Sequence, residues 1–124
     1  MKAVFVESKE FTAWVGEYLP DETYAALQEE LMDDPRKGMP IRGCGGLRKI
    51  RISDPGRGKG KRGGARIIYL HVPEAKRFYM LDIYGKDEKD DLSSDEKKTL
   101  RALAQELKKE AKAAFERSQG KDES

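Results

Sequence analysis

"ARIIYLHVPEAKRFYMLDIY", residues 65–84, is the stretch of this chain that decides its fold. Two runs rich in β-branched and aromatic residues, 65–72 and 76–84, stand on either side of the short segment PEA, and this pattern predicts two strands joined as a hairpin. Both runs are apolar at consecutive positions, which is typical of strands buried on both faces. We therefore expect the hairpin to form the centre of a sheet that other elements cover.

The segment ahead of the hairpin predicts a further strand with one basic face. Alternate side chains of GLRKIRIS, residues 46–53, point to opposite faces of a strand. One face would carry Arg48, Ile50 and Ile52, and the other would carry Leu47, Lys49 and Arg51. We expect the face with Lys49 and Arg51 to remain uncovered by helices and available for function.

The N-terminal third predicts a short strand followed by a helical hairpin. AVFVE, residues 3–7, has strand composition, and Ser8 stands at the N-cap position of a helix whose apolar stripe runs to Leu19. Pro20 interrupts that helix, and Asp21 is placed to cap a second one that ends before DDP at 33–35. The two helices are therefore expected to pack side by side.

A long final helix completes the fold. Ser93 and Glu96 form a capping box ahead of an apolar stripe that runs from Leu100 to Phe115. The order of elements predicts an α+β fold, in which a small antiparallel sheet packs against the N-terminal helical hairpin and the long C-terminal helix. At 124 residues the chain is one domain, which we place at residues 1–117, with a disordered tail at 118–124.

Positive charge is concentrated in the middle of the chain. Between Arg36 and Arg66 there are 11 Lys and Arg and a single acid, so this segment carries +10, although the whole chain carries only +2. Such clustering indicates contact with phosphates, and a solvated loop is the alternative interpretation. The segment lacks the Walker spacing and no helix follows it, which argues against a nucleotide triphosphatase.

Other features of the composition exclude further classes. One Cys and one His cannot supply the clustered ligands of a zinc site, and we expect no metal and no cofactor, although a site of carboxylates and water stays open. The N-terminus has no secretory pattern, and no stretch approaches the length needed to span a bilayer. We therefore expect a cytoplasmic protein without a membrane partner.

Two groups of residues are candidates for nucleic-acid binding. The first lies in the glycine-rich loop, where the backbone can approach a phosphodiester chain closely; a flexible, soluble hairpin tip is the alternative. The second consists of side chains on the strands, among them a tyrosine that could stack on a base. Together these candidates are Arg48, Arg57, Lys59, Lys61, Arg62 and Tyr69.

Three cations on the strands point to RNA cleavage. Lys49 and Arg51 share a strand face and Arg66 opens the next strand, so pairing of the strands would bring all three together around an anion. Attack by a 2′-hydroxyl needs a deprotonated nucleophile, stabilised phosphate oxygens and a protonated leaving oxygen. Arginine can stabilise the oxygens and lysine can transfer protons. The alternative is that these cations only hold RNA or DNA.

Proton transfer has further candidates near the end of the hairpin. The motif YGK places Lys86 at the same edge as Tyr84, and Tyr84 is also positioned to stack on a base. His71, the single histidine, could act as a general base near neutral pH. It lies towards the other end of its strand from Arg66, however, so a structural role is favoured.

The series GGLRKIR, a glycine-lysine loop, RIIY and YGK resembles the RelE/ParE superfamily of bacterial type II toxins, and most of all its HigB-type RelE branch. The likeness extends from about Val4 to Phe115. It implies a microbial-RNase-like fold and an mRNA interferase that cleaves messenger RNA in the ribosomal A site, in contact with ribosomal RNA. It also implies a helix-turn-helix antitoxin, encoded beside the toxin, whose complex with the toxin represses their operon.

The resemblance also implies roles for individual residues. Lys49 and Arg51 match paired basic residues that help to activate the 2′-hydroxyl and hold the phosphate, and Arg66 matches an arginine that stabilises the transition state. After YGK the match weakens, because some relatives carry an arginine where this chain has Asp87. The proton donor is therefore left open between Lys86 and Tyr84.

Two other functions are compatible with the same fold. Relatives of the ParE type inhibit DNA gyrase without cutting RNA, and a nucleic-acid-binding module without catalysis is a third possibility. The cluster of Lys49, Arg51 and Arg66 favours the nuclease, because a gyrase inhibitor would not need it.

Overall fold

The computed structural model of the chain describes residues 2–52, 64–85 and 92–123. The structure confirms that the fold class is α+β. Every predicted strand and helix is present in the predicted order, and one short strand is added. The elements are β1 (Val4–Glu7), α1 (Lys9–Tyr18), α2 (Asp21–Asp33), β2 (Met39–Pro40), β3 (Arg48–Ile52), β4 (Ala65–Val72), β5 (Arg77–Gly85) and α3 (Ser94–Glu123).

The predicted central hairpin is formed by β4 and β5. One turn of 3₁₀ helix, Pro73–Ala75, joins the two strands, and Lys76 closes the turn in the left-handed region with φ 53°. Pro at the start of this turn is favourable because its fixed φ suits the helical conformation and no N–H is lost there. In the five-stranded sheet the order is β1-β5-β4-β3-β2, so the apolar hairpin lies inside and the two shortest strands, β1 and β2, form the edges.

The sheet is mixed, which corrects the prediction of an antiparallel sheet. β1 pairs in parallel with β5, from Val4 opposite Arg77 to Glu7 opposite Met80. Parallel neighbours require a long connection, and the rest of the chain between them supplies it. The structure also adds a strand, β2, within residues 36–46, where the sequence pattern predicts none. Two paired residues are too short to produce a periodic pattern in the sequence.

Helices cover both faces of the sheet, and each face has its own core. α1 and α2 pack Phe11 and Leu31 against one face, where Ile67 and Phe78 are buried. On the other face α3 packs small side chains over the strands, so the expectation that this face is uncovered is wrong over much of its area. The residues of this second core include Leu47, Ile68, Leu70, Tyr84, Ala104 and Ala111.

Two of the three predicted helix caps are present. Ser8 Oγ accepts a hydrogen bond from the Phe11 N–H at 3.0 Å. The Ser93 and Glu96 side chains each bond the other's backbone N–H, at 3.1 and 2.9 Å, which is the predicted capping box. Asp21, by contrast, is the first helical residue of α2, because Pro20 takes the extended N-cap conformation in its place.

α3 is the longest element and stays helical past residue 117. It runs to Glu123, where the sequence predicts a disordered tail from 118 onwards. Gln, Lys and Glu in this extension favour a helix, whereas Ser, Gly and Asp do not, so helix propensity alone does not predict it. At 1.5 Å per residue the 30-residue helix is about 45 Å long. Neither it nor another helix within the described ranges is both long and apolar enough to cross a membrane.

Candidate active site

Three of the predicted catalytic residues lie in one row across the sheet. Arg51 of β3 is directly opposite Arg66 of β4, and Arg66 is directly opposite Tyr84 of β5. Residues that pair in this way point to the same face of a sheet. Lys49 lies two residues before Arg51 and shares that face, so the structure brings four predicted residues together at one end of the sheet.

Arg66 is a buried cation. Only 3% of the residue is exposed, and it is the one buried charged residue of the described chain. Its Nη1 donates a hydrogen bond to the Gly64 carbonyl at 3.1 Å, which helps to hold the guanidinium in place. Arg51, its cross-strand neighbour, is exposed. Two like charges in directly opposed positions repel, and an anion bound beside them would relieve the repulsion.

A groove lined with cations adjoins this row and is called the basic groove below. It has a volume of about 680 Å³ and lies between β2, β3 and the beginning of α3. Its lining contains no carboxylate within the described chain, and its charged residues are Lys37, Arg42, Lys49, Arg51 and Lys97. A concave surface of a single charge sign concentrates the field and attracts a phosphate backbone.

Three cations of the basic groove were not selected from the sequence. Lys97 comes from α3, and its position in the sequence could have identified it. It precedes Leu100 by three residues and Ala104 by seven, so it lies on the apolar stripe of the helix. A lysine at a stripe position faces the body of the protein rather than open solvent. Lys37 and Arg42 come from irregular chain around β2, where no period marks them. Lys37 also forms a salt bridge of 2.6 Å with Glu30.

The structure gives two predicted nucleic-acid-binding residues other roles. Tyr69 is fully buried, so neither face of its ring can stack on a base. Its hydroxyl accepts a hydrogen bond from the Gly38 N–H at 2.9 Å and donates one to the Pro35 carbonyl at 2.8 Å. Burial raises the pKa of this hydroxyl, which keeps it protonated as a donor.

Arg48 stabilises the same segment from the neighbouring strand. Its Nη1 donates hydrogen bonds to the carbonyls of Gly38 at 2.7 Å and Arg36 at 3.3 Å. It lies opposite Tyr69 on the face that α1 and α2 cover, and not with Lys49 and Arg51. Tyr69 and Arg48 therefore fix the chain that carries Lys37 and forms one wall of the basic groove.

The remaining predicted site residues divide into two groups. Tyr84 is buried and lines a depression beside Trp14 of α1, so it forms the β5 end of the row of Arg51, Arg66 and Tyr84, called the catalytic row below for its predicted role, and it lies away from the basic groove. Lys86 and the loop cations Arg57, Lys59, Lys61 and Arg62 lie outside the described residues.

His71 has packing contacts rather than a place in this site. Its ring stacks on Phe78 with a centroid distance of 4.4 Å, and its Nε2 is buried with no hydrogen-bond partner among the described residues. Burial lowers the pKa of His71, while nearby Glu74 opposes that shift. Its surroundings are those of the structural role that was favoured from the sequence.

The fold and the basic groove together define a small α+β protein with one strongly basic face. The family model for the RelE toxin of the RelE/RelB toxin-antitoxin system matches residues 9–123. The chain therefore belongs to the RelE toxin family, as its motifs predict, and it is a toxin of the toxin-antitoxin type. The chain is also similar to a solved structure of the E. coli toxin RelE, a double arginine-to-alanine mutant in the free state. The two sequences are 15% identical, the match covers 73% of this chain and 90% of that chain, and the TM-score is 0.48.

Proposed function

We propose that this toxin is a ribosome-dependent endoribonuclease of the HigB-type branch, which cleaves messenger RNA in the ribosomal A site. The observation that carries the proposal is the pairing of exposed Arg51 with buried Arg66 beside the basic groove. Two arginines in directly opposed positions on one face, at the edge of a groove lined with cations, create a positive potential that favours a bound anion. A phosphodiester in RNA is such an anion.

The proposed reaction is in-line attack of a ribose 2′-hydroxyl on the adjacent phosphorus. The 2′-oxygen gives up its proton and forms a bond to phosphorus, while the bond from phosphorus to the 5′-oxygen breaks and that oxygen takes up a proton. The products are a 2′,3′-cyclic phosphate and a 5′-hydroxyl. Cations that stabilise the additional negative charge on the phosphate oxygens lower the barrier, and no metal ion is needed for this step.

Each residue of the row has a proposed role. Arg66 is buried and held in place by its bond to Gly64, so it can stabilise the charge of the transition state at a distance, from behind Arg51, rather than by direct contact. Lys49 and Arg51 hold the phosphate from the groove side and help to activate the 2′-hydroxyl. Tyr84 and Lys86 are the candidates for protonating the 5′-oxygen. Tyr84 lies directly opposite Arg66, but it is only 2% exposed, so the 5′-oxygen would have to reach it through the depression beside Trp14.

The proposed partners follow from the charge distribution and from the family. Messenger RNA and ribosomal RNA bind along the basic groove, and Arg57, Lys59, Lys61 and Arg62 extend the contact. A helix-turn-helix antitoxin encoded beside the toxin neutralises it, and their complex represses the shared operon. All of these encounters take place in the cytoplasm. Gyrase inhibition is the less favoured function, because it gives no use to the convergence of Arg51 and Arg66.

The test is primer extension on a defined message in a reconstituted translation system, with and without translating ribosomes. Arg51→Ala removes one cation from the catalytic row. Arg117→Ala is the matched control, because it removes an exposed arginine of α3 that does not line the basic groove. We expect ribosome-dependent cuts at A-site codons for the native protein and for the control. We expect Arg51→Ala to reduce the cleavage rate by about 10²- to 10³-fold, the usual loss for one transition-state donor.

Two results would argue against the proposal. Intact message with native toxin in every lane would favour gyrase inhibition or binding without catalysis. Equal losses of cleavage in Arg51→Ala and Arg117→Ala would mean that the position of the arginine does not matter, and the assignment of the catalytic row would then be wrong.

A further inference from the structure

α3 separates the basic groove from a second groove of opposite character, called the acidic groove below. The acidic groove has a volume of about 520 Å³ and lies between α3, the end of β5 and the beginning of α1. Leu81, Leu100 and Leu103 give it an apolar floor. Among the described residues, one lysine, Lys9, lines it together with four carboxylates, which are those of Glu10, Asp82, Asp95 and Glu96.

The acidic groove continues into the depression beside Tyr84. The two cavities share Glu10, Asp82 and Glu96, so they form one surface with a carboxylate rim. Large apolar side chains are exposed at both ends of this surface, with Trp14 56% exposed and Leu103 39% exposed. Exposed apolar side chains rimmed by polar groups mark a surface that binds another protein.

The charge of the rim decides what kind of partner fits. Carboxylates repel the phosphates of RNA, and at physiological ionic strength that repulsion acts over a Debye length of about 8 Å. Within the described part of the chain no three of the acidic side chains are close enough together to hold a metal ion. A row of separated carboxylates over an apolar floor instead complements a polypeptide with an apolar stripe flanked by Lys and Arg.

We propose that the acidic groove is the docking site for a cationic amphipathic segment of the cognate antitoxin. Such a segment places its apolar side chains on Leu103 and Trp14 and its cations beside the rim. It reaches Tyr84 at one end of the catalytic row while the basic groove on the other side of α3 stays open. The inference depends on membership of a toxin-antitoxin family and goes beyond the proposed nuclease activity, on which it does not depend.

The test is titration calorimetry of the full-length toxin with the purified antitoxin encoded beside it. The variant is the double substitution Trp14→Ser with Leu103→Ser, which removes both exposed apolar contacts. Ala13→Ser with Gln105→Ser is the matched control, because both residues are exposed on the same helices and neither lines the groove. Thermal unfolding of each protein verifies that the substitutions leave the fold intact.

We expect the double variant to raise the dissociation constant at least tenfold and the control to leave it unchanged. Raising the salt concentration should weaken binding of the native toxin, since carboxylates and cations meet at the rim. Arg51→Ala should bind the antitoxin with native affinity. In growth assays without antitoxin the double variant should remain toxic, and co-expressed antitoxin should rescue it poorly.

Other outcomes would overturn the inference. Loss of antitoxin binding in Arg51→Ala, with normal binding by the double variant, would place the antitoxin in the basic groove. Native affinity of the double variant for the antitoxin, together with weaker binding to ribosomes, would show that the acidic groove serves a basic ribosomal protein. Failure of the nuclease proposal would appear separately, as intact message in primer extension, and would leave the calorimetry unaffected.

Discussion

Replacing Tyr69 by Phe tests whether this residue stabilises the fold or binds a base. The substitution keeps the aromatic ring and removes only the hydroxyl. The ring is fully buried, and its hydroxyl connects β4 to the segment between α2 and β2 through Gly38 and Pro35. A stacking role would survive the change, because phenylalanine stacks as well as tyrosine, whereas a structural role would not.

The expected loss of stability follows from the two hydrogen bonds. The Gly38 N–H is buried and loses its acceptor, and an unsatisfied buried donor costs about 1–3 kcal/mol. The Pro35 carbonyl is only half-buried and can partly recover a bond from water. We therefore expect the free energy of unfolding to fall by about 2 kcal/mol. In a domain of this size about 4 °C of Tm corresponds to 1 kcal/mol, so Tm should fall by about 8 °C.

Urea unfolding and thermal unfolding measure this change. Tyr79→Phe is the control, because the Tyr79 hydroxyl accepts one bond of 3.2 Å from Arg77, a side chain that can turn to solvent instead. We expect the control to lose less than about 1 kcal/mol. At a temperature where both variants are folded, both should cleave RNA at the native rate. A Tyr69→Phe protein as stable as the native one, or a folded one that no longer binds RNA, would refute the reasoning.

Three further outcomes are expected. In filter binding, Arg51→Ala should reduce the slope of the logarithm of the RNA binding constant against the logarithm of the salt concentration by about 1, and Arg48→Ala should leave that slope unchanged. In urea unfolding, Arg48→Ala should lower the free energy of unfolding by about 1 kcal/mol. Gly38→Ala should lower the free energy of unfolding by about 2 kcal/mol, because a Cβ there would lie 2.8 Å from Tyr69 Cε1 and 3.0 Å from the Lys49 carbonyl. Equal stability of the variant and the native protein in urea unfolding would contradict this. Because burial lowers the pKa of His71 below its unfolded value of about 6.5, the contribution of His71 to stability should be fully present above that pH and be lost as the pH falls below it. The chain has one histidine, so His71→Gln should flatten that part of the profile, and an unchanged profile would exclude His71 as its source.

Local patterns were sufficient to predict most elements of this fold. Residues 65–72 became β4 with the predicted bounds, and the capping box at Ser93 marks the beginning of α3. These signals depend on neighbours in the sequence, where period and capping chemistry act. The parallel partnership of β1 and β5 depends on strands about seventy residues apart, and no local pattern encodes it.

The candidate site was predicted in part for the same reason. Strand alternation was enough to place Lys49 and Arg51 on one face, and the register then joined them to Arg66. Lys97 reaches the basic groove through the packing of α3, so its contribution depends on tertiary structure. Tyr69 was predicted wrongly for the same reason. Its aromatic ring and its place on a strand suit stacking on a base, and only the tertiary structure shows that it is buried in the core.

α3 is a wall common to two surfaces of opposite charge, with Lys97 lining one and Asp95 and Glu96 lining the other. A helix is stiff over this length, so a ligand that displaces it on one side also changes the shape of the other side. Binding on the two sides is then thermodynamically linked, and the factor by which either ligand alters the affinity of the other must be the same in both directions. Inhibition of this toxin could therefore act through the position of a single helix, without any inhibitor entering the groove proposed to bind RNA.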